Sequence, residues 1–318
     1  MSLPFVAFDE FIRSRVITFV VGSSPTEIHV HADAISRLSK PLKVLIDGDM
    51  KEAREGRVVW DDIDSDTFAR FAQWAYTHDY KTPEPTVPPD VSPPSTKADA
   101  GNDSPNQSEK ALYNIKHKTD TARCASCSGA PDSRPFEGTH NCTCTKCNRS
   151  CLPYLCHECD QPVPLAACDD CRVKKSKSGA MIRAFTDTEE WTLPSGCFNP
   201  RRNIKAEEDY TNVLLSHAKL YVLADKYDIA GLGDESIHRL YVTLRSFAVY
   251  KSRMVDIVSL VQFVFDNTQD GDRIRSMLAL YCACIAEDLA ECIEFESLMQ
   301  ASPDFGRALV LKMSKRLD

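Results

Sequence analysis

Residues 17–80 read "ITFVVGSSPTEIHVHADAISRLSKPLKVLIDGDMKEAREGRVVWDDIDSDTFARFAQWAYTHDY", and the periodicities within this stretch decide the fold. "VITFVV" at 16–21 is a short β-rich run, "SSP" at 23–25 has turn chemistry, and "TEIHV" at 26–30 reads as the hairpin partner. "RVVW" at 57–60 is a further strand. Asp64 has the residue type of a helix N-cap. Phe68, Phe71, Trp74 and Ala75 then recur at the spacing of one helical face, so a helix is expected to end near Thr77. Strand and helix patterns alternating in so short a stretch predict an α+β domain.

Outward from this stretch the composition changes sharply. Residues 82–123 are rich in Pro, Ser, Asp and Asn. Such a segment buries too little apolar surface to offset its ordering entropy and is expected to be a disordered linker. Residues 124–171 hold a cysteine array, and residues 172–207, beginning "RVKKSK", read as a basic, irregular linker. From 208 the chain looks helical almost to its end. Val213, His217, Leu220, Tyr221 and Ala224 line one face, and Gly231 with Gly233 is expected to close that helix. Further helices are suggested by Val255, Val258, Val261 and Phe265, and by Ile274, Met277, Leu278, Tyr281 and Ile285. In the last helix Ser302 can cap and Pro303 can occupy the first turn. No internal repeat of solenoid length is present.

The 318 residues carry a formal charge of -8, which gives no chain-wide basic field for nucleic acid or anionic membrane. Asp9 and Glu10 interrupt the N-terminal apolar residues where a secretory signal needs a continuous core, and no apolar run approaches the roughly 20 residues of a membrane span. An intracellular protein, cytoplasmic and/or nuclear, is expected. In a reducing compartment, clustered cysteines are metal ligands more often than disulfides.

The landmarks of the first stretch are "VVG" ending a strand, "HVHADAIS" opening a helix, "MKE" at 50–52 and "DDIDSDTFARFAQWAYTHDY". Together with "LLSHAKLYVLADKYDIAGL" in the later helical part, their order and spacing resemble a BTB/POZ domain, closest to the BTB proteins of filamentous fungi. The resemblance implies that residues 15–81 and 208–245 are two parts of one BTB domain, a short sheet with a helical cluster. The cysteine region then lies in an insertion between them, and residues 246–318 form an all-helical C-terminal extension. Loop closure costs only about 0.6 kcal/mol per doubling of length, so a long insertion is tolerable.

Ten of the fourteen cysteines lie between 124 and 171, and eight of them form the four CxxC pairs "CASC", "CTKC", "CHEC" and "CDDC". A CxxC turn brings two thiolates to one zinc, and two such turns complete a tetrahedron. The simplest partition puts Cys124, Cys127, Cys144 and Cys147 on one ion and Cys156, Cys159, Cys168 and Cys171 on a second. Cys142 and Cys151 are left over, with His140 and His157 nearby. A cross-braced order, or a third ion, also fits the spacing. Closed all-thiolate sets are structural rather than catalytic, and the region has too few large apolar residues to fold without its metal.

Cys124, Cys127, Cys142, Cys144, Cys147, Cys151, Cys156 and Cys159 also resemble the eight-ligand series of a RING ubiquitin ligase. The third pair has three intervening residues where two are usual, and Cys144 stands where His is common. Nucleic-acid binding is disfavoured, because residues 124–171 hold six acids against three bases and thiolate zinc sites add negative charge.

Outside the insertion no nucleophile elbow or Gly-rich phosphate loop is found, so a non-enzymatic role is expected. BTB resemblance implies protein–protein association, as a homodimer or as a cullin-docking ubiquitin-ligase adaptor. In cullin-binding members a hydrophobic-x-Glu motif follows the third helix, and Met50 and Glu52 match it. Phe5, Phe8, Phe11 and Ile12 offer a short apolar face for self-association. The alternative function is a RING-like E3 ligase acting through the insertion, or a zinc-dependent nuclear, transcription-associated factor.

Overall fold

The computed structural model describes residues 8–87, 113–114, 131–135, 142–143, 150–151, 154–156, 162–163, 177–193 and 198–314. The first elements are α1 (Phe8–Arg13), β1 (Val16–Val21), β2 (Thr26–His31), α2 (Ala32–Ser36), α3 (Lys40–Asp47), α4 (Lys51–Glu55), β3 (Arg57–Trp60) and α5 (Ser65–Thr77). Six short strands follow: β4 (Tyr113–Asn114), β5 (Pro131–Pro135), β6 (Cys142–Thr143), β7 (Ser150–Cys151), β8 (Tyr154–Cys156) and β9 (Pro162–Val163). Then come α6 (Lys177–Thr186), α7 (Thr211–Lys226), α8 (Ala230–Ser246), β10 (Ala248–Val249), α9 (Met254–Asn267), α10 (Arg273–Cys284), α11 (Ala286–Leu289), α12 (Ile293–Ala301) and α13 (Pro303–Ser314). The chain is therefore α+β. Among the described residues no helix is long and apolar enough to cross a membrane.

Two compact units divide it, the first comprising residues 1–86, 193–197 and 210–240. Its sheet has the order β2-β1-β3, with β1 antiparallel to β2 and parallel to β3. Alternation along the central strand buries Ile17, Phe19 and Val21, while Val16 on the opposite face stays exposed. The hairpin, the strand at 57–60 and the helix at 65–77 form where the sequence places them. Asp64 caps α5 by accepting from the Thr67 N–H at 2.8 Å. α5 ends in a left-handed residue, His78 at φ 54°, whose N–H donates to Trp74 O. Gly56 at φ 63° ends α4 in the same way and turns the chain into β3, a backbone region open to glycine at little cost.

One core fills this unit, and it draws on both sides of the cysteine region. Ile17, Phe19, Ile35, Leu42, Val58, Phe68, Phe71 and Trp74 come from before residue 82, and Leu220, Leu223, Ala224 and Leu232 from after residue 209. Trp60 is the hub: its ring centroid lies 4.9 Å from that of Phe19, 5.8 Å from Phe68, 6.0 Å from Phe71 and, stacked, 4.4 Å from Tyr227. Gly231 and Gly233 do not close α7, as the sequence pattern suggests. They sit in the first turn of α8, where a Cβ on Gly231 would meet the Trp74 ring at 3.4 Å and one on Gly233 would meet the Ala224 Cβ at 3.7 Å. Both distances are ordinary van der Waals contact, and α7 has already ended at Lys226.

The second unit comprises residues 87–192, 198–209 and 241–318. The expected irregular linker at 172–207 is corrected over part of its length: α6 is a helix that buries Met181, Ile182 and Phe185 and packs on α10. Its charged beginning hides an apolar stripe that starts only at Met181. Phe185 anchors an aromatic cluster with Trp191, Tyr241 and Tyr281 at centroid distances of 6.0, 5.2 and 5.4 Å, and Tyr241 Oη donates to Phe185 O at 2.8 Å. Within the span expected to be disordered, Tyr113 and Asn114 pair with Val249 and Ala248. Residues 88–112 and 115–130 lie outside the described residues.

The buried Arg239 guanidinium of α8 joins the two sequence halves of the first unit. It donates to Tyr80 O at 2.6 Å, to Asp79 Oδ1 at 2.5 Å and to Glu235 Oε1 at 2.6 Å. Removing one member of a buried charged set costs far more than removing an exposed pair. Arg239→Ala is therefore expected to destabilise the first unit by about 3 kcal/mol, with Arg239→Lys only partly restoring it, and chemical denaturation measures both.

Candidate functional site

Met50 and Glu52 sit at the corner between α3 and α4. Met50 is the N-cap of α4, with extended backbone at φ -70° and ψ 160°, and its side chain is 52 % exposed. Glu52 lies half-buried in the first turn, where a carboxylate favours the helix dipole. Arg15, at the foot of β1, holds the corner from below: its guanidinium donates to Ile46 O and, at 3.1 Å, to Ala53 O, and lies 3.6 Å from Asp47. The corner thus presents an exposed thioether beside a carboxylate on a tethered backbone. Such a pair can bind an apolar pocket flanked by donors, and it carries no reactive chemistry.

In α1, the ring of Phe11 lies 6.2 Å from Tyr76, and the Arg37 guanidinium sits 4.8 Å above it. Phe11 is therefore engaged within its own unit. Ile12 stays 51 % exposed, and Phe5 lies outside the described residues.

Of the ten clustered cysteines, Cys142, Cys151 and Cys156 fall in strands β6, β7 and β8. Cys124, Cys127, Cys144, Cys147, Cys159, Cys168 and Cys171 lie outside the described residues. Among the described residues no group of three or more His, Cys, Asp or Glu could hold a metal ion. Cys282 and Cys284 are buried in α10, where burial pushes the Cys282 thiol well above its ordinary range, and they behave as small apolar residues.

Sequence reasoning missed the contacts where the chain leaves α5. Tyr80 is buried, and its Oη shares a 2.7 Å hydrogen bond with Nδ1 of His217, a residue of the apolar face of α7. Arg239 also stacks over the Tyr80 ring at 4.2 Å. From the other side, Gln73 Oε1 accepts from Lys81 N–H at 2.9 Å. Residues 79–81 are thereby fixed between α5, α7 and α8 before the low-complexity stretch begins. The only signal available was the place of His217 among Val213, Leu220 and Ala224. Nothing local marks Tyr80 or Arg239 as its neighbours.

The electrostatics follow from burial. His217 is driven down to about 3 by desolvation, with the positive charges of Arg239 and Arg70 adding to it, so it is neutral at physiological pH. Burial raises the Tyr80 phenol. The hydrogen bond from Arg239 holds the Asp79 carboxyl below its usual range despite some desolvation. Burial would raise Asp64, but hydrogen bonds from Lys219 at 2.9 Å and from Thr67 outweigh it and hold that carboxyl down as well. Tyr80, His217, Arg239 and Asp79 form one connected structural cluster.

The chain matches no family model, and no curated protein or solved structure matches it significantly. The functional reading therefore rests on this chain's own residues.

A pH dependence follows. The folded pKa of His217 is depressed from 6.5 to about 3, so the unfolded chain binds a proton that the folded chain refuses once the pH drops below about 6.5. Its stabilisation is complete above that pH and is lost progressively as pH falls toward 3, and the depressed Asp64 and Asp79 add their own loss below about 4. Thermal unfolding between pH 8 and 4 is expected to show a falling Tm from about pH 6.5 downward. His217→Leu is expected to lower Tm at pH 8, because Tyr80 loses its partner, and to flatten the decline between pH 6.5 and 4.5.

Proposed function

We propose that this chain is a non-enzymatic protein-binding module of BTB/POZ type, carrying a structural zinc insertion and docking a cullin through the Met50–Glu52 corner. The observation that carries the reading is the half-exposed Met50 at the N-cap of α4, with Glu52 in the same turn and Arg15 bracing the backbone beneath. An exposed apolar side chain on a fixed backbone loses little entropy on docking. The core of the first unit supports the BTB reading, because residues before 82 and after 209 share it, as an insertion within one domain requires. The four CxxC pairs support zinc: together they supply eight thiolates, enough for two closed tetrahedra. Zinc bound there folds the insertion, and the insertion presents a recognition surface or spacer.

Capture of purified cullins by the immobilised full chain tests the docking surface. Interface anchors typically cost more than 1 kcal/mol on truncation, so Met50→Ala is expected to weaken capture by about tenfold and Glu52→Ala by somewhat less. Both variants should unfold within about 0.5 kcal/mol of the parent, since neither side chain belongs to the core. No capture by the parent, or capture indifferent to both substitutions, contradicts the docking role. Ubiquitin-chain formation by the full chain without a cullin would instead favour the RING-like ligase.

A further inference from the structure

We infer that the outer edge of β3 is a self-association surface, on which a second copy of this chain pairs antiparallel about a twofold axis at Val59. The sheet order β2-β1-β3 leaves β3 at an edge, with no further strand beside it among the described residues. Thr18 N–H donates to Gly56 O and Gly22 N–H to Trp60 O, so Gly56, Val58 and Trp60 turn their backbone groups toward β1. The N–H and C=O of Val59 therefore point outward, and among the described residues no hydrogen bond outside the β1 ladder engages them. An open edge of this kind is a template for another strand.

The solvent-facing side chains decide which strand fits. Arg57, Val59 and Asp61 alternate with the buried Val58 and Trp60, and Val59 is 61 % exposed. In a twofold antiparallel pair centred on Val59, the two Val59 residues exchange N–H···O bonds and their side chains meet. Residues equally far before and after the centre are then opposed, so Arg57 of each copy faces Asp61 of the other. Asp61 opens the turn after the strand, where Ile63 N–H donates to Trp60 O at 3.5 Å, and the long Arg57 side chain is what reaches it. Arg57 already lies 2.8 Å from Glu27, an exposed pair that leaves other guanidinium N–H groups to donate.

Shifting the axis to Arg57 or to Asp61 sets guanidinium against guanidinium or carboxylate against carboxylate, and parallel in-register pairing opposes like charges at both positions. Charge thus selects the Val59-centred register, an isologous contact that uses the same patch on both copies. The strand has only four residues, so the contact belongs with small, transient interfaces, and a Kd of about 100 µM is expected. It stands apart from the zinc and cullin readings and from the apolar face of α1.

Sedimentation equilibrium of the full chain from about 10 µM to about 1 mM tests this, and the parent should pass from monomer toward dimer. Val59→Pro removes the outward N–H without touching the β1 ladder, a change edge strands tolerate, and should weaken dimerisation by about tenfold. Arg57→Asp and Asp61→Arg each oppose like charges and should stay monomeric alone. An equimolar mixture of those two variants restores unlike pairs and should dimerise as the parent does, which also shows that both are folded. Ile12→Glu on α1 should leave the association unchanged. A parent that is monomeric throughout, or a dimer insensitive to both charge reversals, overturns the inference. Charge reversals that dissociate the dimer and recover nothing when mixed overturn it as well.

Discussion

The first unit depends on one buried guanidinium. Arg239 reaches from α8 to the backbone carbonyl of Tyr80 and the carboxylate of Asp79, residues 159 and 160 positions earlier, while its ring contact with Tyr80 and its bond to Glu235 fix its own conformation. Tyr80 in turn reaches His217 on α7. Nearby ion pairs, Lys219 with Asp64 and Lys226 with Asp62, run between the same halves but lie at the surface, where solvent screens them. The buried set and the aromatic stack of Trp60 on Tyr227 therefore outweigh the visible surface charges in holding the halves together.

A domain closed in this way can carry a long excursion in its chain. The backbone at residues 79–81 is satisfied by Arg239, Gln73 and Arg70 within the first unit itself. The cost of an inserted segment is then mainly closure entropy, which rises slowly with length. The first unit itself presents the exposed Met50 on the backbone that Arg15 braces.

What the sequence made legible was local. The hairpin, the strand at 57–60 and the cap and face of α5 follow from alternation, turn residues and helical spacing, and each formed as expected. His217 could be placed on a buried face, but not beside Tyr80, because that contact spans 137 positions and leaves no periodic trace. α6 escaped notice because its basic start masks the stripe Met181, Ile182, Phe185. Gly231 looked like a helix stop because glycine commonly ends helices, yet it lies in the first turn of α8. Met50 and Glu52 were legible as a motif, while the bracing by Arg15 was not. The opposed register of Cys142 and Cys151 likewise depends on strand pairing rather than on CxxC spacing.

The central claim is that residues before 82 and after 209 form one cooperative domain closed by Arg239. Native-state hydrogen exchange of the full chain tests it most directly, because amides in one cooperative unit open with one free energy. The amides around Phe71 in α5 and around Leu220 in α7 should share the same opening free energy, and Arg239→Ala should lower both by the same amount. Full protection persisting in α5 while α7 exchanges freely in that variant would contradict the account.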